Sequence, residues 1–384
     1  MNFAKKLRQW TRPGQIVMTR AEDLVFMARA LRLAEKGRYS THPNPIVGCV
    51  LVRQGEIVGE GYHIKAGEGH AEARALAAAG DSATGATAYV TLEPCSFHGR
   101  TPSCAEALIK AGVSRVVVAL LDPDVRNSGA GIRKLEAAGL VVEVGCMADS
   151  ARQVIPGHIL RYTQNRPFVR LKLAMTLDGK TALANGESKW ITSAASRSDV
   201  QRLRARSGAI VTGVETVIAD DPQMSVRDLQ EVPHADAALA AVRPVYILDS
   251  QLRTPSDAQL LQRSSTVIIT TVAAGQNTRG QAEVLHVPAS DGRVCLDAVL
   301  RELAQREHSE VLFECGATLA ASLVAQRCVD ELIIYTAPRL MGASGRSLLN
   351  LPEIDRMSGL LDLTIKDVRQ MGTDIRITAV PVTK

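Results

Sequence analysis

Apolar residues recur along the first part of the chain at helical and strand spacing in turn. In TRAEDLVFMARALRLAEKG, Leu24, Met27, Ala28, Leu31 and Ala34 fall on one helical face, and Thr19 with Glu22 forms a capping box at its start. VGCVLVR and EIVGEGYH read as short strands joined by a hairpin turn at Gln54-Gly55. HAEARALAAAG, ATAYVTL, SCAEALIKAG, RVVVALL, IRKLEAAG and LVVEVG then alternate helix with strand. This alternation predicts an α/β sandwich around an open, largely parallel sheet.

The pattern loosens through MADSARQVIPGHILRYTQNRP, where Pro156-Gly157 and Arg166-Pro167 act as breakers. A chain of 384 residues is too long for one ordinary core, so a domain boundary is placed near here. Residues 21–148 form the first domain, 149–166 a linker and 167–384 the second domain. The second half alternates again. Its strands are FVRLKLAM, GAIVTG, PVYILDS, STVIITT, AEVLHVP, EVLFECG, ELIIYTAP and DIRITAVPV, and its helices include SRSDVQRLRARSG, LDAVLRELAQRE and TLAASLVAQRC. VPHADAALAAV reads as a surface excursion, and neither half repeats the other.

Composition narrows the class. With 46% hydrophobic and 22% charged residues the chain has the balance of a soluble globular protein, and no apolar run approaches the ~18 residues of a membrane span. Residues 1–20 form a basic extension with five Lys or Arg and no acid, which matches the net charge of +5 and leaves the body balanced. The extension lacks the apolar stretch and cleavage site of a secretory signal. Aromatics at 3% and a balanced body argue against a nucleic-acid surface. Seven scattered cysteines indicate a reduced, cytoplasmic protein, in which a Cys95–Cys104 disulfide is the weakest reading of TLEPCSFHGRTPSC.

A metal site is the stronger reading. In GEGHAEARAL, His70 and Glu72 fall on the first turn of a helix, and Cys104 opens another helix just after Pro102. Helix N-termini favour the thiolate that a metal requires. One His and two Cys supply three zinc ligands and leave a fourth position for water, with Glu72 as the unligated proton carrier. An isolated His at a helix start is ordinarily a cap, and an isolated Cys a small hydrophobe. A structural zinc would need a fourth side chain, for which His98 is available. The His-Ala-Glu, Pro-Cys and second Cys in this order favour the catalytic arrangement.

At THPNPIVGCV, GEIVGEGYH, GEGHAEARAL, GATAYVTLEPCSFHGRTPSC, LKLAMTLDGKTALANGESKWITS, TVIADDPQMSVR, FECGATLAASL and VDELIIYTAP the sequence resembles the bifunctional bacterial riboflavin-biosynthesis deaminase/reductase family. The resemblance implies a cytidine-deaminase-like α/β/α sandwich followed by a dihydrofolate-reductase-like α/β domain. The first half would deaminate 2,5-diamino-6-ribosylamino-4-pyrimidinone 5′-phosphate, and the second would reduce its ribosyl chain to ribityl with NADPH. It implies zinc on His70, Cys95 and Cys104, Glu72 as proton shuttle, and a pyrimidine and phosphate pocket at Asn44, His63, Arg100 and Asp122. In the second half it implies substrate contacts at Ser188, Arg204, Met224, Arg227 and Glu314, with Arg204 and Arg227 as partners of the ribose phosphate. Cofactor contacts would fall at Ala174, Trp190, Thr216, Asp220, Ser250 and the run Gly316, Ala317, Thr318, Leu319, Ala320, Ala321 and Ser322. No Gly-x-Gly-x-x-Gly follows a strand, so a strand–Gly316–helix turn is the phosphate-binding candidate.

The family is homo-oligomeric through its reductase half, which is the partner expected beside the phosphorylated pyrimidine substrate. Phe97, Asp124, Val125, Ile155, His158 and Cys315 depart from the family's usual residues. Phe97 and Asp124 flank the expected deaminase pocket and motivate an alternative, a paralogue acting on a related pyrimidine or pteridine-like nucleotide.

Overall fold

Gln54 and Gly55 both adopt positive φ, 53° and 82°, the two-residue turn whose twist suits paired strands. They join the first two strands of a computed structural model that describes residues 21–97, 102–229, 231–273 and 278–382. The chain divides between Asn165 and Arg166 into two compact units.

The first unit runs α1 (Ala21–Glu35), β1 (Gly48–Arg53), β2 (Glu56–Tyr62), α2 (Ala71–Ala79), β3 (Thr87–Val90), α3 (Cys104–Lys110), β4 (Arg115–Val118), α4 (Ala130–Ala137), β5 (Val141–Val144), α5 (Ala148–Val154) and α6 (Pro156–Gln164). The sheet order is β2-β1-β3-β4-β5. Only β3, β4 and β5 run parallel, because β1 pairs antiparallel with both its neighbours. Alternate β1 residues feed two apolar layers. Val50 and Val52 pack with Met27 and Leu31 of α1, whereas Cys49 and Leu51 pack with Ala71 and Ala75 of α2.

Glycine sets the distance between α2 and the sheet. A Cβ on Gly61 would lie 2.3 Å from the Ala71 carbonyl oxygen and 2.5 Å from the Ala75 nitrogen. Gly61→Ala is therefore expected to destabilise the unit by about 1–3 kcal/mol and to shift α2, which carries site residues. Chemical denaturation read alongside zinc affinity checks this, and unchanged values for both would contradict it.

Two expectations change here. Leu24 is 46% exposed and Asp23 is buried, because Asp23 accepts from Nη1 and Nη2 of Arg115, each at 2.8 Å, and from the Tyr89 hydroxyl. The apolar face of α1 is thus rotated around a buried ion pair; Thr19 lies outside the described residues. The expected linker is helical and packs with the first unit, with Ala151 and Ile155 in the α1 layer. Pro156 starts α6 instead of breaking the chain, since the first position of a helix needs no N–H partner.

The second unit holds β6 (Phe168–Thr176), β7 (Lys180–Ala182), α7 (Ala194–Arg206), β8 (Ala209–Gly213), α8 (Val214–Asp220), α9 (Ala235–Ala240), β9 (Val245–Leu248), β10 (Thr266–Thr270), β11 (Thr278–Arg279), β12 (Ala282–His286), β13 (Ala289–Ser290) and β14 (Arg293–Val294). It continues with α10 (Leu296–Gln305), β15 (Glu310–Glu314), α11 (Ala317–Ala325), β16 (Glu331–Ala337), β17 (Arg346–Ser347), β18 (Leu363–Met371) and β19 (Asp374–Pro381). Ten strands form one sheet in the order β11-β12-β10-β9-β8-β15-β6-β16-β19-β18. From β12 to β16 the pairs are parallel, so the C-terminal ends of β6, β8, β9 and β15 lie along one edge of the sheet. The excursion at VPHADAALAAV contains α9, which buries Ala238. No helix among the described residues is long and apolar enough to cross a membrane.

Candidate active sites

In the first unit, the starts of α2 and α3 bring three donors together. His70 is the N-cap of α2 and Cys104 the first residue of α3. Nδ1 of His70 lies 3.2 Å from Cys104 Sγ and 3.7 Å from Cys95 Sγ, and the three donor atoms fall within 4.8 Å of one another. The edges of a tetrahedral zinc site with such ligands are about 3.5 Å, so the residues fit that ion. They form one cluster of three such side chains among the described residues.

The long gap between the cysteines is closed by its ends. The Cys95 carbonyl accepts from Ser103 Oγ at 2.9 Å and from the Ala105 N–H at 3.1 Å, and Cys95 Sγ accepts from the Cys104 N–H at 3.3 Å. Ser103 also caps α3 through the Glu106 N–H. Hydrogen bonds from the Cys104 thiol, His70 and this N–H hold the Cys95 thiol far below its ordinary pKa, so the cluster already favours one thiolate. Glu72, buried on the first turn of α2, has its pKa raised by burial and then by the Cys95 charge.

His63 and Asn44 adjoin this cluster. The His63 and His70 rings meet edge-on with centroids 5.2 Å apart. Burial lowers the His63 pKa to about 4, so it is neutral at pH 7. Asn44 Nδ2 donates to its Nε2 at 3.0 Å, which places the ring proton on Nδ1 towards the Gly69 carbonyl. Asp122 Oδ1 lies 3.0 Å from Nε2 of His158, which supplies it with a polar partner. Arg100 and His98 lie outside the described residues.

Glu93 is a residue the sequence reading passed over. It is buried, and its two oxygens accept from the N–H groups of Asp122 (3.1 Å), Gly129 (2.9 Å) and Gly131 (2.9 Å). The carboxylate ties the turn before Cys95 to the segment bearing Asp122, and a Cβ on Gly131 would lie 2.0 Å from the Pro94 carbonyl oxygen. Gln would turn an NH₂ towards these donors. Glu93→Gln is expected to cost about 2–3 kcal/mol of stability and about 10–100-fold in zinc affinity. Thermal unfolding and competitive zinc titration check this, and a variant equal to the parent in both would contradict it.

In the second unit, polar groups gather where β15 and β6 end. Glu314 pairs in register with Lys172 and is clamped by Arg204, Nε to Oε1 at 2.6 Å and Nη2 to Oε2 at 3.0 Å. Burial opposes the Glu314 charge, yet Arg204 prevails and holds its pKa below the ordinary value. Burial lowers the Lys172 pKa against the pull of Glu314. Lys172 was not singled out from sequence. Arg204 also donates to the Ser225 carbonyl at 3.1 Å, so the structure commits it to holding Glu314. Arg227 is the exposed arginine of the expected phosphate pair, with Nη1 on Gln223 Oε1 at 3.1 Å. Met224 is buried in the apolar cluster with Ile210 and Val214, and Ser188 is half-buried.

The helix after Gly316 narrows the cofactor expectations. Ala320 and Ala321 are buried, and the Ala320 N–H is spent on the Gly316 carbonyl. Free first-turn N–H groups are therefore confined to Ala317, Thr318 and Leu319. Ser322 bonds back to the Thr318 carbonyl. Thr216 borders Gly316, whose Cβ would lie 4.0 Å from its hydroxyl. Asp220 pairs with Lys189 at 3.6 Å, Ser250 Oγ accepts from the Val294 N–H, and Ala174 lies in β6. Trp190 is 64% exposed with Arg197 stacked 4.8 Å from its ring, so it is not a core residue.

A three-layer α/β unit with a His–Cys–Cys cluster beside a buried glutamate is the arrangement of a zinc deaminase, and a second, mostly parallel α/β unit follows it. Residues 20–120 match the cytidine and deoxycytidylate deaminase zinc-binding region, and residues 167–377 match the RibD C-terminal domain. The chain is 45% identical to riboflavin biosynthesis protein RibD of Escherichia coli (strain K12), over 92% of this chain and 98% of that protein. It is also 45% identical to RibD of Haemophilus influenzae, over 94% and 98% respectively. Acinetobacter baumannii RibD, form 1, superposes with a TM-score of 0.87 at 42% identity, covering 94% of this chain and 99% of that one. A Thermotoga maritima diaminohydroxyphosphoribosylaminopyrimidine deaminase/5-amino-6-(5-phosphoribosylamino)uracil reductase gives 0.81 at 29% identity, with the same coverage. The chain belongs to the RibD family of riboflavin biosynthesis proteins.

Proposed function

We propose that the two units act in succession on one phosphorylated pyrimidine in riboflavin biosynthesis. The first hydrolytically removes the 2-amino group of 2,5-diamino-6-ribosylamino-4(3H)-pyrimidinone 5′-phosphate. The second reduces the ribosyl side chain with NADPH, giving 5-amino-6-ribitylamino-uracil 5′-phosphate. The observation that carries this reading is the convergence of His70, Cys95 and Cys104 beside Glu72 in a chain of this family.

In the first unit His70, Cys95 and Cys104 would hold zinc, whose Lewis acidity would make water a nucleophile near neutral pH. Glu72 takes a proton from the attacking water and returns it to the departing amine, and its raised proton affinity suits both transfers. Asn44 and neutral His63 orient the pyrimidine, with Asp122 and Arg100 as further contacts. Water is consumed and ammonia released.

In the second unit NADPH, when bound, would supply the hydride that reduces the sugar. The first-turn N–H groups after Gly316 hold a cofactor phosphate. Thr216, Asp220, Ser250, Ala174 and Trp190 line the rest of the cofactor site. Lys172 gives a proton to the ring oxygen as the sugar opens, and Glu314, fixed by Arg204, keeps that lysine in place. Arg227 faces the ribose phosphate.

Incubation with the diamino-pyrimidinone phosphate and NADPH is expected to release one ammonia and oxidise one NADPH per substrate. Neither event occurring would refute the proposal. The unit also exposes an apolar edge: Leu363 (43%), Ile365 (61%) and Val368 (58%) on β18, at the end of the sheet. Such an edge pairs readily with another strand, and a second copy of the chain is the proposed partner. Ile365→Lys is expected to yield monomers by sedimentation; an unchanged sedimentation coefficient would contradict it.

A further inference from the structure

The nucleotide to be deaminated ends in a phosphate, so the first unit needs a cation apart from the metal ligands. The segment Asp122 to Asn127 lies directly against the Cys95 loop, where Asn127 Oδ1 accepts from the Ser96 N–H at 3.0 Å. On this wall Arg126 lies over Phe97, its Cζ 5.4 Å from the ring centroid. Phe97 is two residues from Cys95.

Arg126 is held on one edge only. Its Nε donates to Asp124 Oδ2 at 2.9 Å, and Nη2 donates to Asp124 and, at 3.3 Å, to the Tyr162 hydroxyl oxygen. Asp124 is buried, whereas the Arg126 side chain is 65% exposed. Nη1 has no hydrogen-bond partner among the described residues. A guanidinium clamped by a carboxylate and stacked on a ring still offers its remaining donors, and it loses little side-chain entropy when it binds. Asp124 balances the formal charge, so the contact available is a directed hydrogen bond and not a net field.

We infer that Arg126 is a phosphate-binding residue of this deaminase site, with its free Nη1 edge receiving the 5′-phosphate of the pyrimidine nucleotide while Asp124 and Phe97 hold it in place. The inference rests on the deaminase reading of the first unit.

Deamination kinetics of Arg126→Gln with the 5′-phosphorylated substrate and with its dephosphorylated counterpart test it. KM for the phosphorylated form is expected to rise about 10- to 100-fold, the effect of one hydrogen bond to a charged group, while its kcat and the KM of the dephosphorylated form stay level. Arg126→Lys should recover part of the loss. An unchanged KM, or an equal rise for both substrates, would overturn the inference. Zinc content of each variant reports on folding. Independently of turnover, ribose 5-phosphate should protect Arg126 of the parent protein from phenylglyoxal, as read by peptide mass mapping. Modification undiminished by the sugar phosphate would also overturn it. If the parent releases no ammonia from either substrate, the deaminase reading fails, and the protection experiment still decides whether Arg126 takes a phosphate.

Discussion

Glu72→Gln is expected to lower deamination by about 10²- to 10⁴-fold while zinc content and reduction of separately supplied deaminated intermediate stay at parent values. Gln keeps the volume and one acceptor of a buried side chain, so the helix start that carries His70 is not disturbed. What it removes is the ability to take a proton from water and return it to the amine. The Glu72 carboxyl has its pKa raised by burial and by the neighbouring Cys95 charge, so the variant loses a group already disposed to hold a proton. Ammonia release, zinc stoichiometry and NADPH oxidation measured on one preparation separate this role from a structural one. Full deamination by the variant would refute the assignment, and loss of zinc would move Glu72 into the metal's support.

Lys172→Met has the second large effect. It is expected to slow NADPH oxidation by about 10²- to 10³-fold, the loss found when one preorganised donor is removed. Deamination should continue, so the deaminated ribosylamino intermediate accumulates in step with ammonia. Methionine fills much of the same space, and Glu314 retains its bidentate partner Arg204, so no buried carboxylate is left unpaired. Chromatography of the products with simultaneous NADPH absorbance gives both rates. Reduction at the parent rate would show that Lys172 does not serve the reaction.

The readable parts of this molecule were those whose determinants are local. The central strands of the second sheet are short apolar runs such as GAIVTG and EVLFE, and they form β8 and β15. His70 and Glu72 could be placed on one helical turn because two positions on a turn need no tertiary knowledge. Residues whose roles depend on distant partners were hidden. Glu93 acts on N–H groups 29 to 38 positions later in the chain. Asp23 looks like a surface acid until Arg115, 92 positions away, arrives beside it. Lys172 interrupts an apolar strand and reads as a solvent-facing position, and only the register of β6 with β15 sets it opposite Glu314. Strand β18 escaped because a register shift between Ile365 and Asp367 breaks the two-residue alternation that marks a strand. Arg204 was expected to meet a phosphate, and its commitment to Glu314 on a different element was not legible from either segment alone.

The proposed function runs two chemistries in sequence at two separate sites on one chain. Its most direct test is a two-stage assay of the metal-depleted protein with NADPH present. Given the diamino-pyrimidinone phosphate, the depleted protein should release no ammonia and oxidise no NADPH; given the deaminated intermediate, it should oxidise NADPH at the parent rate. Restoring zinc should return both activities on the first substrate, with ammonia release preceding NADPH oxidation. Oxidation of NADPH before any ammonia appears, or loss of reduction of the supplied intermediate when zinc is withdrawn, would contradict the account.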